Sequence, residues 1–323
     1  MTIRVVKPGL FTTIQDLGRY GYAHLGISSG GAADSLSFRI ANRLVGNDDN
    51  TPALEMTLLG ATLEFEETAI VAITGAHCEC KVSTPLHGAN GRGGDAGPAQ
   101  LPANTACELP ARTVLECGSM SRGARCYLAI QGGFETPLVM GSASTFVTGH
   151  FGGFQGRNLQ KGDILRVRQQ SSLRRRALRP GALEWLRAPQ ALRVTKGPQQ
   201  EWFAPEAFEQ LLSTAYVVSE HSDRRGVRLN GAALRPPTRS ELLTEGVPLG
   251  AIQVPQDGQP IILLVDQQTT GGYPKIANVI AADLHRVGQL RPRDEVRFVE
   301  VSMPEAVQAL AEQEHWLEDI FDS

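Results

Sequence analysis

The sequence predicts a mainly β protein with a few helices, organised as two related barrel-like domains. Three observations lead there. The 323 residues include 34 Gly and 19 Pro with only 6% aromatics, and so many turn formers punctuate a chain of short strands. Short apolar or alternating runs recur between Gly, Pro and Asn clusters, over long tracts with no helical period. The two halves also echo each other in order, as a duplicated unit does. Ile3-Arg-Val-Val-Lys-Pro-Gly9 resembles Leu192-Arg-Val-Thr-Lys-Gly-Pro198, Asp16-Leu-Gly-Arg-Tyr-Gly21 resembles Asp223-Arg-Arg-Gly226, and residues 159–167 resemble 290–298. A competing α/β architecture needs strands alternating regularly with helices, and that alternation is absent.

In chain order, strands are expected at 3–6, 69–73, 113–116, 126–130 and 163–167. One helix interrupts them at 34–45, where Leu36, Ile40, Ala41, Leu44 and Val45 follow helical spacing behind an Asp or Ser cap and stop at Gly46-Asn47. The Gly, Ala and Pro rich stretch 87–100 reads as a long exposed loop. These elements make an N-terminal domain over 1–170. The polar, arginine-rich stretch 171–190 reads as a linker. A C-terminal domain over 191–300 follows, with strands at 191–194, 216–218, 251–254, 261–265 and 295–298. A helical pattern is carried by Ile276, Val279, Ile280, Leu284 and Val287. Pro304 opens a terminal helix over 301–323 whose stripe is Val307, Leu310, Leu317, Ile320 and Phe321.

With 31 basic and 34 acidic residues the formal charge is −3, which lacks the electrostatic footprint of a nucleic-acid binder. No apolar run approaches membrane-spanning length and no signal-like segment opens the chain, so a cytoplasmic protein without a membrane partner is expected. Five scattered cysteines fit reduced thiols better than a disulfide framework.

The strongest local signal is Asp266-Gln-Gln-Thr-Thr-Gly-Gly-Tyr-Pro-Lys275, a strand end running into two threonines, two glycines and an expected helix start. Glycine lets backbone N–H groups approach a ligand, a helix N-terminus favours an anion, and Lys275 can neutralise a carboxylate or phosphate. A plain turn capping a helix is the alternative. A second candidate gathers Asp16, Arg19, Asp34 and Arg39 near glycine turns; these groups can bind a polar substrate or form a structural ion-pair network. The related Ser222-Asp-Arg-Arg-Gly-Val-Arg228 offers Arg224 or Arg228 as a carboxylate clamp. Gly26-Ile-Ser-Ser-Gly30 fits a nucleophile-elbow pattern but lacks its α/β-hydrolase setting. His77-Cys78-Glu79-Cys80 looks metal-like without completing a zinc set, so no metal ligand is assigned. P-loop and Rossmann fingerprints are absent.

The strings Ile14-Gln-Asp-Leu-Gly-Arg19, Ala41-Asn-Arg-Leu-Val-Gly-Asn47, Leu54-Glu-Met56, Tyr127-Leu-Ala-Ile-Gln-Gly-Gly133, Gly141-Ser-Ala-Ser-Thr145, Gly250-Ala-Ile-Gln-Val-Pro255 and Thr269-Thr-Gly-Gly-Tyr-Pro274 resemble the KipA family. It is also called the allophanate hydrolase subunit 2 or biotin-dependent carboxyltransferase family, and includes the C subunit of bacterial 5-oxoprolinase. The resemblance runs over about 3–300. It implies two cyclophilin-like β-barrel domains, and partners of KipI type and LamB/YcsF type. The reaction it implies is ATP-dependent opening of 5-oxoproline to glutamate, with ATP and Mg2+ acting in the complex.

On that resemblance, Thr269, Thr270, Gly271, Gly272 and Lys275 hold a phosphoryl group or the substrate carboxylate, and Arg224 or Arg228 adds positive charge. Asp34 or Asp16 orients water or a metal-bound phosphate, while Arg19, Arg39, Gln253 and Tyr273 complete the binding set. Two departures leave substrate identity open: Gly30-Gly-Ala-Ala-Asp34 stands where Ser-Gly-Ala-Met-Asp is expected, and Arg225 stands where methionine is usual. Two rival activities remain. One is a carboxyltransferase component acting on urea or another amide, for which a partner must supply biotin because the chain has no Ala-Met-Lys carrier motif. The other is a non-catalytic regulator that antagonises a KipI-type kinase inhibitor.

Overall fold

The computed structural model describes residues 1–83, 99–168, 175–183, 191–235 and 242–322. The expected loop at 87–100 lies outside the described residues up to 98, and the linker 171–190 is described only over 175–183. The chain forms two compact units. The first comprises Met1–Arg19, Ser35–Arg179 and Phe321–Ser323, and the second Tyr20–Asp34 and Pro180–Ile320. Neither is one continuous stretch: Tyr20–Asp34, expected within the N-terminal domain, packs with the second unit.

Strands of the first unit are β1 (Thr2–Lys7), β2 (Phe11–Gln15), β3 (Ala53–Thr57), β4 (Thr62–Phe65), β5 (Ala69–Ser83), β6 (Ala99–Gln100), β7 (Cys107–Leu109), β8 (Val114–Ile130) and β9 (Ile164–Arg166). They form one sheet with the path β2-β3-β8-β4-β1-β9, and β5 joins it by pairing antiparallel with β8. The expected strands 113–116 and 126–130 are the two ends of the single strand β8. Helix α1 (Ser35–Leu44) packs its Phe38 ring edge-on to Tyr127, with centroids 5.9 Å apart, and Thr74 Oγ1 donates to Ser37 O at 2.6 Å. Residues 71–74 of β5 are therefore buried in succession, whereas 75–81 alternate strictly between exposed and buried, because only the first half lies beneath the helix.

The second unit contributes β10 (Leu192–Lys196), β11 (Tyr216–Val218), β12 (Gly226–Asn230), β13 (Glu245–Gly246), β14 (Ala251–Gln253), β15 (Ile261–Leu263), β16 (Thr270–Gly271), β17 (Lys275–Val279), β18 (Glu295–Val296) and β19 (Phe298–Glu300). Its main sheet runs β18-β11-β12-β15-β14-β17-β10-β19. The first and last strands of that order are separated in sequence by Arg297 alone, so the chain returns the sheet to its own starting edge and nearly closes a barrel. One expected strand at 295–298 is thus two, each serving a different edge. Val194, Leu229, Ile252, Ile262, Ile276 and Val279 fill the interior.

The internal echo survives in the pairing with one inversion. β1 pairs antiparallel with β9, Ile3 opposite Leu165, while β10 pairs parallel with β19, Leu192 opposite Phe298. The echoed aspartates make the same local turn: Asp16 accepts from Gly18 N and Asp223 from Arg225 N, each at 2.8 Å.

Two helical expectations are corrected. Residues 275–279 form the strand β17, and helix appears only as the 3₁₀ turn Ala281–Asp283 and the single-turn α3 (Leu284–Val287). Ile276 and Val279 are buried because β17 lies between β14 and β10, and a strand buried on both faces counterfeits helical spacing. The helix α2 (Pro205–Ser213), which sequence reasoning missed, opens on a proline and buries Ala207, Phe208 and Leu211. The terminal helix α4 (Met303–Asp319) starts at a Ser302–Glu305 capping box. Leu317, Ile320 and Phe321 are buried as expected, but Val307 is 62% and Leu310 37% exposed; the helix rests instead on Ala309, Gln313 and Leu317. Among the described residues no helix is long and apolar enough to cross a membrane.

Candidate functional site

Lys275 opens β17, so the expected helix N-terminus at the glycine-rich loop does not exist. Its side chain lies almost fully buried and its Nζ meets Glu245 Oε1 at 2.5 Å. Gln199 ties the pair together: its Nε2 donates to Glu245 Oε1 at 2.8 Å, and its Oε1 accepts the Lys275 backbone N–H at 3.2 Å. The Lys275 ammonium, donating to Glu245, holds that carboxyl below the usual glutamate range against the opposing effect of desolvation. Glu245 belongs to β13, which pairs with β16 as a two-stranded ribbon, Gly246 opposite Thr270 and Glu245 opposite Gly271.

That pairing carries the predicted loop across Gln253. Gln253 Oε1 accepts from Gln268 Nε2 and its Nε2 donates to Tyr273 O, both at 3.4 Å. A Cβ on Gly271 would sit 2.7 Å from Gln253 Nε2, so glycine lets the ribbon close down on this buried amide. Thr270, Gly272 and Tyr273 are exposed on the outer side, and Thr269 O accepts from Val247 N at 3.0 Å. Thr269, Thr270, Gly271, Gly272 and Tyr273 therefore lie along one ribbon, over Gln253, with Glu245, the partner of the buried Lys275. The buried cation of this loop stands on a strand, where an anion cradle at a helix start was expected.

A second polar cluster in the same unit surrounds Tyr20–Asp34. Arg224 makes a two-pronged ion pair with Asp266, at 2.8 and 3.2 Å, and its Nη2 also donates to Gly31 O at 2.7 Å. Asp34 Oδ2 accepts from Gln289 Nε2 at 2.7 Å. Desolvation pushes the buried His285 imidazole below its ordinary range, outweighing the attraction of the Asp34 charge nearby. Arg228 stands exposed on β12, and Arg225 is held at the surface by Asp223 at 2.9 Å.

The remaining predicted residues lie in the first unit and do not form one group. Asp16 is a buried hub: Oδ1 accepts from Gly18 N at 2.8 Å and from the hydroxyls of Ser142 and Ser144 at 2.6 Å, and Oδ2 accepts from Ala143 N at 2.6 Å. With that many donors its carboxylate is a structural acceptor. Arg19 donates to Ser144 O and lies over the Phe151 ring, 5.0 Å from its centroid. Arg39 and Arg43 share Asp49, at 2.8 and 2.6 Å; desolvation raises that carboxyl, and the two guanidinium groups outweigh it and hold it low. A cavity of 510 Å³ opens in this unit beside Glu135, Thr136, His150, Phe151 and Gly152, and no sequence-predicted residue lines it.

Sequence reasoning missed Gln199, Glu245, His285 and Gln289, which stand outside any glycine-rich motif; Glu245 reaches Lys275 through the β13–β16 pairing, while Gln199 and Gln289 lie in turns and His285 in α3, with partners far away in the chain. The Ser142 and Ser144 hydroxyls lie within the string Gly141-Ser-Ala-Ser-Thr145, whose spacing alone assigns them no role.

The model of the carboxyltransferase domain, subdomain A and B, matches residues 25–300. The chain is 37% identical to the 5-oxoprolinase C subunit of Escherichia coli, over 98% of this chain and 97% of that one. It is 35% identical to the 5-oxoprolinase C subunit of Haemophilus influenzae, over 95% and 94%. The crystal structure of the K. lactis urea amidolyase superposes with a TM-score of 0.87 at 32% identity, covering 100% of this chain and 20% of that one; the chain thus spans about a fifth of the urea amidolyase.

Proposed function

Because the chain belongs to the family of carboxyltransferase domains with subdomains A and B, we propose that it is the C subunit of a 5-oxoprolinase complex, which opens 5-oxo-L-proline to L-glutamate with hydrolysis of ATP. The observation that carries this reading is the near-complete, two-way coverage with the E. coli protein. A lactam is a poor electrophile. Phosphorylating its oxygen turns the ring carbon into a centre that water attacks; the ring C–N bond then breaks with the nitrogen leaving as the amine, and a second water releases phosphate from the resulting acyl phosphate. The developing negative charge calls for a fixed cation in a desolvated place.

Lys275 meets that requirement. Its ammonium is already desolvated, and the half-exposed Glu245 turns outward to yield it to a substrate carboxylate or to phosphate. Thr270, Gly272 and Tyr273 line the approach, and Gln253 fixes the ribbon beneath them. Arg224 keeps Asp266 and Gly31 in place, so it positions the segment carrying Asp34, while the exposed Arg228 adds positive charge. Asp34, accepting from Gln289, orients the water. Asp16, Arg19 and Arg39 support the first unit.

Among the described residues no group of His, Cys, Asp and Glu fits a metal ion, so no step is assigned to Mg2+ on this chain; the nucleotide and its Mg2+ belong to the complex. The partners proposed are a KipI-type and a LamB/YcsF-type protein, in the cytoplasm. The test is glutamate formation from 5-oxoproline and ATP with and without each partner. Product only with all three, together with lost rate and intact assembly in Lys275→Ala and Thr270→Ala, supports the reading; full activity in both variants overturns the site.

A carboxyltransferase acting on urea or another amide is the second reading, favoured by the similarity to the urea amidolyase structure. It requires carboxyl transfer from a partner's biotin carrier to urea, and ATP-dependent glutamate formation excludes it as the main activity.

A further inference from the structure

Four of the five cysteines converge in the first unit, and the activity proposed above uses none of them. On β5, Cys78 and Cys80 point to the same buried face, and Cys80 Sγ donates to Cys78 Sγ at 3.8 Å. Cys117 and Cys126 lie buried on the facing stretch of β8, Cys117 opposite Cys80 and Cys126 opposite Gly75, while Cys78 Sγ donates to Gly118 O at 3.2 Å. All four are free thiols, and Cys78, at 8% exposed, lies nearest to solvent.

Cys80 and Cys117 are directly opposite each other in the β5–β8 register. Their backbone groups face away from each other: Cys117 N donates to Ala61 O at 3.0 Å, on the β4 side, and Cys80 O accepts from Leu101 N at 2.8 Å, on the β6 side. They therefore form a non-hydrogen-bonded pair, whose Cα atoms stand about 4.5 Å apart in an antiparallel sheet. That falls inside the span a disulfide bridges, about 4.4–6.8 Å between Cα atoms.

We propose that this cluster is a reversible oxidation site, at which a peroxide enters at Cys78 and leaves a cross-strand disulfide between Cys80 and Cys117. The chemistry balances over three displacements. The Cys78 thiolate attacks a peroxide oxygen, the O–O bond breaks, and Cys78 becomes a sulfenic acid while the departing hydroxide takes up a proton as water. The Cys117 thiol then attacks the Cys78 sulfur, forming an S–S bond and expelling the hydroxyl, which leaves as water with the thiol proton. Finally the Cys80 thiol attacks the Cys117 sulfur, its proton passing to the released Cys78. The net change is the loss of two electrons and two protons from Cys80 and Cys117 and the reduction of one peroxide to two waters.

The thiol environment supports the order of events. S–H groups of Cys117, Cys126 and Cys80 converge on Cys78 and lower its pKa, which favours the nucleophilic thiolate there. Cys80 gains some relief from Cys117, but its interaction with Cys78, its burial and the Cys78 charge push it up to about 12, and Cys117 is likewise raised by Cys78, Cys80 and burial, so Cys78 is the thiol that reacts first.

The experiment treats the full chain with hydrogen peroxide and counts free thiols by a chromogenic disulfide reagent, then maps the peptides without reduction. Trypsin places Cys117 on the peptide 113–122 and both Cys78 and Cys80 on the peptide ending at Lys81, and cleavage after Glu79 separates those two. The expected result is a fall from five thiols to three, a Cys80–Cys117 linked peptide, and full recovery with dithiothreitol. Cys78→Ser, checked for native circular dichroism, slows the loss but keeps the link; Cys80→Ser abolishes the link. An unchanged thiol count, a link between other cysteines as the end product, or irreversible sulfinic acid overturns the proposal. Wild-type mapping decides the matter even if a variant fails to fold, and no readout depends on 5-oxoproline cleavage.

Discussion

Lys275 shows how one side chain can be important for a reason different from the one its motif suggests. Its ammonium is buried and its countercharge, Glu245, is half exposed, so removing the two partners has unequal consequences. Glu245→Gln strands a buried charge and is expected to lower unfolding free energy by about 2 kcal/mol, less than the about 3–5 kcal/mol of a fully buried pair because Glu245 still sees water. Lys275→Met removes the charge while filling the volume, and is expected to leave stability within about 1 kcal/mol while abolishing 5-oxoproline cleavage. Urea denaturation beside an activity assay separates the outcomes, and equal losses of stability would contradict the placement of Lys275. Asp16→Asn makes the opposite case. One carboxylate oxygen becomes an amide facing N–H and O–H donors, so a loss of about 2–3 kcal/mol is expected, with unchanged turnover per folded molecule; lost turnover at unchanged stability would return Asp16 to the catalytic set.

At the scale of elements, pairing decided what periodicity left ambiguous. Strands 216–218, 251–254 and 261–265 were legible because turn residues bracket short apolar runs. Residues 276–279 were misread as helix because a strand between two neighbours buries both faces, and apolar spacing alone then fits a helix equally well, whereas 281–287 is helical as expected. The turn at 150–156 likewise depends on a distant neighbour: Gly152, Gly153 and Gly156 adopt positive φ, as do His150 and Gln155, and a Cβ on Gly153 would lie 1.8 Å from Thr145 Oγ1. Gly153→Ala is therefore expected to cost about 3 kcal/mol, left-handed strain plus overlap, read as a lower urea midpoint at constant m-value. Wild-type stability in that variant would mean the turn relaxes freely.

The whole molecule responds to pH through groups whose burial no motif announces. His285 is depressed below the ordinary imidazole range by desolvation. The folded state therefore resists a proton that the unfolded chain accepts, and stability is expected to decline as pH falls below the unfolded imidazole pKa, down to the folded one. Denaturation across that window should show a flatter decline in His285→Gln; an unchanged slope would remove His285 as its source. Sequence alone determined the β-rich class, the duplicated order of the two halves and the family-bearing strings, because turn chemistry, period-two alternation and local motifs are written in neighbouring residues. Tertiary structure alone decided that Tyr20–Asp34 joins the second unit, that Lys275 faces Glu245 and Gln199, that Asp16 is a saturated hub and that four thiols meet. Each of these is a contact between residues far apart in the chain, and strand register, which local sequence does not encode, determines which side chains share a face.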